Sequence, residues 1–333
     1  MNGSTFGTAF SISTYGESHG ESVGVIIEGC PQGTRLSLEF IQQELDRRRP
    51  GRSELTSSRE EPDELVVVSG IIEGETDGNP IELKVLNVDK RSKDYDEISR
   101  KPRPGHADMT YLQKYGEIPL GGGRASGRET VSRVMAGAIA KQILLEDEIA
   151  IEGRIVEVGG HKGRFDEVIL AAKANADSVG GVVEVVATGV PPGLGEPVFD
   201  KLDADLAKAM MSIPAVKGVE MGAGFAAAAM KGSQHNDPIT SRGDGELTTT
   251  TNNAGGTLGG ISNGMPIVCR IAVKPPSSIA REQDTIDSTT LKSAKLSIQG
   301  RHDPCICPRV VPVAESMMAI VLLDHLLRSR TGE

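Results

Sequence analysis

Gly121-Gly122-Gly123-Arg124-Ala125-Ser126-Gly127-Arg128-Glu129-Thr130, continuing through Val131 to Lys141, is the stretch around which the rest of the chain is organised. It reads as a flexible cationic loop that turns straight into a helix. Ser126 followed by Glu129 has the spacing of a capping box, which predicts a helix starting at Ser126. Val131, Val134, Met135, Ala138 and Ile139 repeat at helical spacing, while Ala136, Gly137 and Ala140 let a neighbouring element approach closely. Glycine N–H groups ahead of a helix N-terminus, with Arg124, Arg128 and Arg133 beside them, make an anion site. The plainer alternative is a glycine loop followed by a solvated arginine face; the cap and the arginine triplet together weigh against it. No Gly-Lys-Ser/Thr follows the glycines as in a Walker loop, and the G-x-G-x-x-G register of a dinucleotide fingerprint is missing. The identity of the anion therefore has to come from elsewhere in the chain.

The 333 residues carry a net charge of -10 and are 38% hydrophobic, enough for a substantial core. Forty glycines, no Trp and few aromatics predict a core of Val, Ile, Leu, Ala and Met with tight backbone approaches. An acidic chain argues against general binding to nucleic acid or an anionic membrane, which needs a basic surface. Arginine is nevertheless bunched at 47–52, 124–133 and 301–309. A basic pocket inside an acidic shell suits a small, strongly anionic ligand. Four scattered cysteines (Cys30, Cys269, Cys305, Cys307) fit a reducing cytoplasm. His302, Cys305 and Cys307 lie close in sequence, but C-x-C without a second ligand pair is a poor zinc signal, so buried thiols and no metal are expected. No apolar run reads as long enough to span a bilayer, and no export signal is read at the N-terminus.

Along the chain, Thr5 to Thr14 and Val23 to Glu28 read as strands on either side of Gly16-Glu17-Ser18-His19-Gly20. Ser18 and His19 therefore stand on a glycine-bounded turn; taken alone, such a pair is more often a turn than a catalytic dyad. Ser37 should cap a helix whose apolar face is Phe40, Ile41 and Leu45 and which runs into Arg47-Arg48-Arg49-Pro50-Gly51-Arg52. Val66 to Ile72 and Ile81 to Val88 read as strands. Arg103-Pro104-Gly105-His106-Ala107-Asp108 is a rigid turn presenting a histidine before a short helix. Strands are expected at 149–158, 181–189 and 266–273, and helices at 165–176 and 200–211. The Gly/Thr/Asn/Ser-rich segment 241–264 is long for a loop in a compact domain, hence functional or disordered. Lys274-Pro275-Pro276-Ser277-Ser278 is a stiff turn with a cation and two hydroxyls. Val313 to Leu327 is apolar nearly all round and reads as a buried core helix. Without a linker or repeat, a single α+β domain over residues 1–333 is expected.

Gly16 to Gly20, Arg103 to Asp108, the 121–141 stretch, Gly193-Leu194-Gly195-Glu196-Pro197-Val198-Phe199-Asp200 and Arg301-His302-Asp303-Pro304 occur in a familiar order. From Phe10 to about Arg328 the chain resembles the chorismate synthases. The resemblance implies central helices sandwiched between two antiparallel sheets, and a homotetrameric lyase of the shikimate pathway. The implied reaction takes 5-enolpyruvylshikimate 3-phosphate to chorismate and phosphate and requires reduced FMN, with no net redox change.

By match to the family motifs, the resemblance implies that Arg48, Arg103, Arg133, Arg301 and His19 hold the substrate. Its phosphate and two carboxylates call for arginine, whose fork meets such groups bidentately. Arg124, Ala125, Ser126, Arg128, Ala215, Gly259, Lys274, Pro275, Pro276, Ser277, Ser278 and Arg301 would meet FMN. His19 would protonate the departing phosphate, a task suited to a group titrating near neutrality. His106 would serve the N1–C2 carbonyl edge of the flavin, Asp303 would tune its N5, and Ser18 and Ser126 would support the proton relays.

Ala125 and Gly127 depart from the family's Arg-Ser-Ser-Ala-Arg loop, removing one hydroxyl. Glu54 stands where many members carry an arginine associated, with Arg48, with NADPH, so an external flavin reductant is expected, with Arg52 as a possible compensating charge. Two other readings compete. A flavin reductase would consume reductant stoichiometrically, whereas the lyase needs only catalytic reduced flavin. A non-catalytic anion-binding scaffold would have no reason to keep His19, His106 and Asp303 in their motifs.

Overall fold

Alternating burial along the strands sets the two outer layers. In Ser22–Glu28 the side chains of Val23, Val25 and Ile27 are buried, as are Ile81, Leu83 and Val85 in Ile81–Leu86. That period of two is a sheet with one face on a core. The computed structural model describes residues 3–51, 55, 61–88, 100–241, 243, 245–298 and 302–331. Its first sheet is antiparallel, in the spatial order Thr5–Phe6, Ser11–Gly16, Ser22–Glu28, Ile81–Leu86, Val66–Ser69. The second, also antiparallel, runs Val216–Met221, Ile267–Val273, Gly181–Thr188, Ala150–Val158.

Between the sheets lie helices α3 (Thr130–Glu146) and α7 (Cys307–Thr331), packed on each other, α3 against the first sheet and α7 against the second. This is the expected helical layer between two antiparallel sheets. A continuous apolar core runs through both sheets and the helices, from Phe10 to Leu326. At the helix crossing, a Cβ on Gly137 would lie 2.2 Å from the Cβ of Ser316, so only glycine allows this approach. Around the layer sit α1 (Leu38–Arg48), α2 (Asp108–Tyr115), α4 (Phe165–Ala174), α5 (Leu202–Met211) and the single turn α6 (Gly232–His235).

Several expectations change in detail. Ser37 caps α1 as read, its Oγ accepting from Phe40 N at 3.1 Å. Ser126 accepts from Arg128 N at 3.3 Å but opens only a 3-10 turn, Gly127–Glu129, and α3 begins at Thr130. The Glu129 carboxylate points forward onto Arg133 Nε at 2.9 Å, because an i,i+4 ion pair competes with the backward reach a capping box needs. Within 241–264 the described residues include short hairpins, Ile239–Ser241 with Leu247–Thr249 and Thr257–Leu258 with Ile261–Ser262. Against expectation, α7 is long and apolar enough to cross a bilayer; 89% of its apolar window is buried between the sheets, the place of a core helix. Near its C-terminal end Asp324 Oδ1 accepts the backbone N–H groups of Thr8, Ala9 and Phe10 at 2.9, 2.6 and 2.9 Å. That clasp fixes the segment leading to Ser18 and His19.

Where α1, α3 and α7 meet, Glu315 receives Arg47 through two bonds (2.7 and 2.8 Å), Lys141 at 2.6 Å and Gly153 N at 2.9 Å. Glu44 bridges the same two cations. Burial pushes the Glu315 carboxyl up, but the bonds from Arg47 and the charge of Lys141 outweigh it and hold it below the usual glutamate range. Its stabilisation is therefore present above the unfolded-state value and lost as pH falls through the folded one. Glu315→Gln takes a buried carboxylate away from the mostly buried Lys141 and the partly exposed Arg47, and should cost about 3–5 kcal/mol. Denaturant unfolding at neutral pH measures this, and the difference from wild type should shrink toward acid.

Candidate active site

Turns from distant parts of the sequence close around a cavity of about 390 Å³. Gly105 to Ala107, Gly121, Ala125 to Gly127, Pro214 and Ala215, Lys274, Pro276 to Ser278, then His302, Asp303 and Ile306 just ahead of α7 and Arg309 in its first turn line it. The stiff 274–278 turn is stapled to the histidine turn. Lys274 Nζ donates to Gly105 O at 2.7 Å and to Ser277 Oγ at 2.6 Å, while Ser277 Oγ donates to Gly105 O at 2.9 Å. His106 Nε2 meets Ser278 Oγ at 3.0 Å. Burial, then the positive charge of Arg103, with Lys274 and His302 adding to it against Asp108, pushes His106 down to about 4. It is therefore a neutral hydrogen-bonding ring at physiological pH. Burial, helped by Lys217, also lowers the Lys274 ammonium. Asp303 Oδ2 takes Arg309 Nη1 at 2.5 Å, and Arg309 Nε reaches the main-chain carbonyl of Arg48 at 3.2 Å.

His19 reaches this place from the first sheet. Its ring lies over Gly121, whose φ of +61° and missing side chain make the contact possible: a Cβ there would sit 2.1 Å from His19 Cε1. Ser18 Oγ is 3.1 Å from His19 Nδ1 and donates to Gly121 O at 3.1 Å. Gly121→Ala should therefore displace the imidazole by an ångström or more while leaving the cores intact. Turnover is expected to fall by up to about 10²-fold, the scale for misplacing a reacting group by that distance. Steady-state kinetics on a variant with near-native circular dichroism tests this; unchanged turnover would detach His19 from the loop.

The arginines are placed less openly than the sequence suggested. Arg48, 1% exposed, gives Nη2 to Asp63 Oδ2 at 2.6 Å, and Arg128 Nη1 pairs with Asp63 Oδ1. Arg128 also bonds Asn87 Oδ1 at 2.9 Å and Leu86 O at 3.3 Å. Arg103 gives Nε and Nη2 to Asp108, both at 2.7 Å, bracing the histidine turn rather than lining the cavity. Arg124 holds the backbone of the first sheet, Gly16 O at 2.7 Å and Thr14 O at 2.9 Å, and Thr14 Oγ1 at 2.7 Å. Arg133 spans Glu129 and Ser212 Oγ, the latter at 2.6 Å. Arg124 and Arg133 both line a second cavity, about 740 Å³, between the N-terminal segment, α2 and α5. Glu17, Glu117 and Glu129 share that lining, so its net charge is close to balanced.

Thus His106, Ala125, Ser126, Ala215, Lys274, Pro276, Ser277, Ser278 and Asp303 come together in one cavity, with His19 packed on its Gly121 wall. Pro275 lies within the same turn. Gly259 turns a hairpin outside both cavity linings. Arg301, Arg52 and Glu54 lie outside the described residues. Sequence reading missed Asp63 and Arg309. Asp63 had a signal, since an arginine run that becomes buried needs a counter-ion, but its partner could not be told from the other acids nearby.

The family profile described as chorismate synthase matches residues 10–327. The chain is similar to the chorismate synthase of Methanosarcina mazei, 51% identical over 99% of this chain and 97% of that protein. It is likewise similar to that of Chloroflexus aurantiacus, 49% identical over 99% and 97%. A crystal structure of chorismate synthase superposes with a TM-score of 0.77 at 33% identity, covering 97% of this chain and 93% of that one.

Proposed function

The chain belongs to the chorismate synthase family and is a lyase of the shikimate pathway, and from that premise we propose that its chemistry is done in the His106–Asp303 cavity with reduced FMN. The donor set there fits a flavin. Lys274 offers a cation, Ser126, Ser277, Ser278 and neutral His106 offer partners for a polar ring edge, and Ala125, Pro214, Pro276 and Ile306 offer apolar surface for a flat ring. When bound, reduced FMN supplies electron density that assists loss of the substrate's phosphate.

The chain's own groups do the rest. Ser18 orients His19, which protonates the departing phosphate. Asp303, held by Arg309, receives the proton lost from the opposite side of the ring. His106 hydrogen-bonds the flavin's carbonyl edge, and Ser126 supports the proton relay. Arg48 supplies positive charge for the phosphate and carboxylates, a role Arg301 would share. Arg128, which the motif match assigned to FMN, is absent from the cavity lining and, gathered with Arg48 on Asp63, serves the same anions instead. The observation that carries this reading is the convergence of His19, His106, Ser126, Lys274 and Asp303 from distant segments.

The whole chain would act as one domain. Assembly into a homotetramer is part of the same reading and rests on the family resemblance. Free thiols at Cys30, Cys269, Cys305 and Cys307 support a reducing cytoplasm. An external reductant, rather than bound NADPH, would keep the flavin reduced. The decisive assay supplies 5-enolpyruvylshikimate 3-phosphate and catalytic dithionite-reduced FMN without air. Phosphate and chorismate absorbance should appear with many turnovers per flavin; their absence from a folded, FMN-binding preparation would sink the proposed site.

A further inference from the structure

Asp63 joins the two arginine-bearing segments of the site. It is fully buried and adopts φ +50°, a conformation disfavoured for a residue with a side chain. Both carboxylate oxygens are engaged. Oδ2 takes Arg48 Nη2 from the last turn of α1, and Oδ1 takes Arg128 Nη1 from the turn after the glycine loop. Arg309, the partner of Asp303, bonds the carbonyl of Arg48 on the other side. Three guanidinium groups thus crowd one corner: burial lowers the Arg48 pKa to about 10, Asp63 opposes that, and Arg309 and Arg128 add to it. Burial raises the Asp63 carboxyl, yet the charges of Arg48 and Arg128 outweigh it and keep it ionised. Without an anion between them, Arg48 and Arg128 would repel and turn apart.

We propose that Asp63 is a positioning residue of the lyase: it fixes the Arg48 and Arg128 guanidiniums side by side, so that an anionic group of the substrate meets a preformed cationic pair. This rests on the reading that Arg48 and Arg128 serve the substrate's anions. A merely structural counter-ion would need only to balance charge. A positioning residue must act on substrate through Arg48, and the two roles separate in a double-mutant cycle.

The experiment measures KM, turnover and FMN affinity for wild type, Asp63→Asn, Arg48→Met and the double variant. Asp63→Asn should raise KM about 10- to 100-fold, the range for losing a charge-assisted hydrogen bond, and turnover at saturation should fall by less. The double variant should raise KM over Arg48→Met by clearly less than Asp63→Asn raises it over wild type, since Asp63 then has only Arg128 to present. An unchanged KM with a lowered melting temperature overturns the proposal, and so does a double variant in which the two KM effects multiply. If Asp63→Asn does not fold, Asp63→Asn with Arg128→Met removes one of the two uncompensated cations and is compared with Arg128→Met. A KM at least about tenfold higher in the former supports the proposal, and equal values overturn it. Wild-type protein that makes no chorismate removes the underlying reading; wild type that makes it, with an indifferent Asp63→Asn, removes only the role of Asp63.

Discussion

His19→Ala is expected to lower turnover by ~10²–10⁴-fold, the usual contribution of a positioned general acid. The geometry says which nitrogen is at stake. Ser18 Oγ donates its one hydrogen to Gly121 O, so toward His19 Nδ1 it can only accept. Nδ1 therefore carries a hydrogen in the neutral ring, and Nε2 is the nitrogen that gains and loses the proton. Fixing the tautomer this way readies the ring to donate from one defined atom toward a departing phosphate. Ser18→Ala would release that choice without removing the acid, and its effect should be smaller than that of His19→Ala. Substrate binding should fall less than turnover in the His19 variant. Near-normal turnover with a raised KM would make His19 a binding residue instead.

What could be read in the sequence was what depends on near neighbours. The Ser37 cap, the strands read at 23–28 and 81–88, and the apolar girth of α7 are set within a turn or two, and the structure shows each of them, the second strand ending at Leu86. The Ser126 cap was misread for an equally local reason: Glu129 had both a backward and a forward partner, and the forward one, Arg133, won. The site itself is non-local. Ser18 meets a carbonyl 103 residues away, and His106 meets a hydroxyl 172 residues away. Only motif resemblance could bring those residues to one place. Charge was the least legible property. Arg124, Arg128 and Arg133 look alike in sequence, but backbone carbonyls hold the first, Asp63 the second, and Glu129 with Ser212 the third. Counting arginines indicates an anionic ligand, while counter-ions decide which arginines face it.

Asp303→Asn should abolish most turnover, by at least ~10²-fold, while leaving the fold and FMN affinity near wild type. Two roles compete for this residue. As a structural group it anchors Arg309, whose Nε in turn holds the carbonyl of Arg48. The Asp303–Arg309 pair is partly open to solvent, 10% and 23% exposed, so losing its charge should cost only about 1 kcal/mol. Asparagine keeps an acceptor oxygen for Arg309 and preserves that anchor. As a proton acceptor it cannot be replaced by an amide, which lacks the basic carboxylate oxygens. The structural role therefore predicts a small fall in melting temperature with turnover kept, and the catalytic role predicts the reverse. Spectroscopy separates this variant from that of His19. Removing a negative charge from the cavity wall should perturb the reduced-flavin spectrum in the ternary complex, whereas His19→Ala should leave it largely unchanged. An Asn variant that melts early but turns over normally when folded would assign Asp303 to the support of Arg309 and Arg48, and the ring proton would need another acceptor.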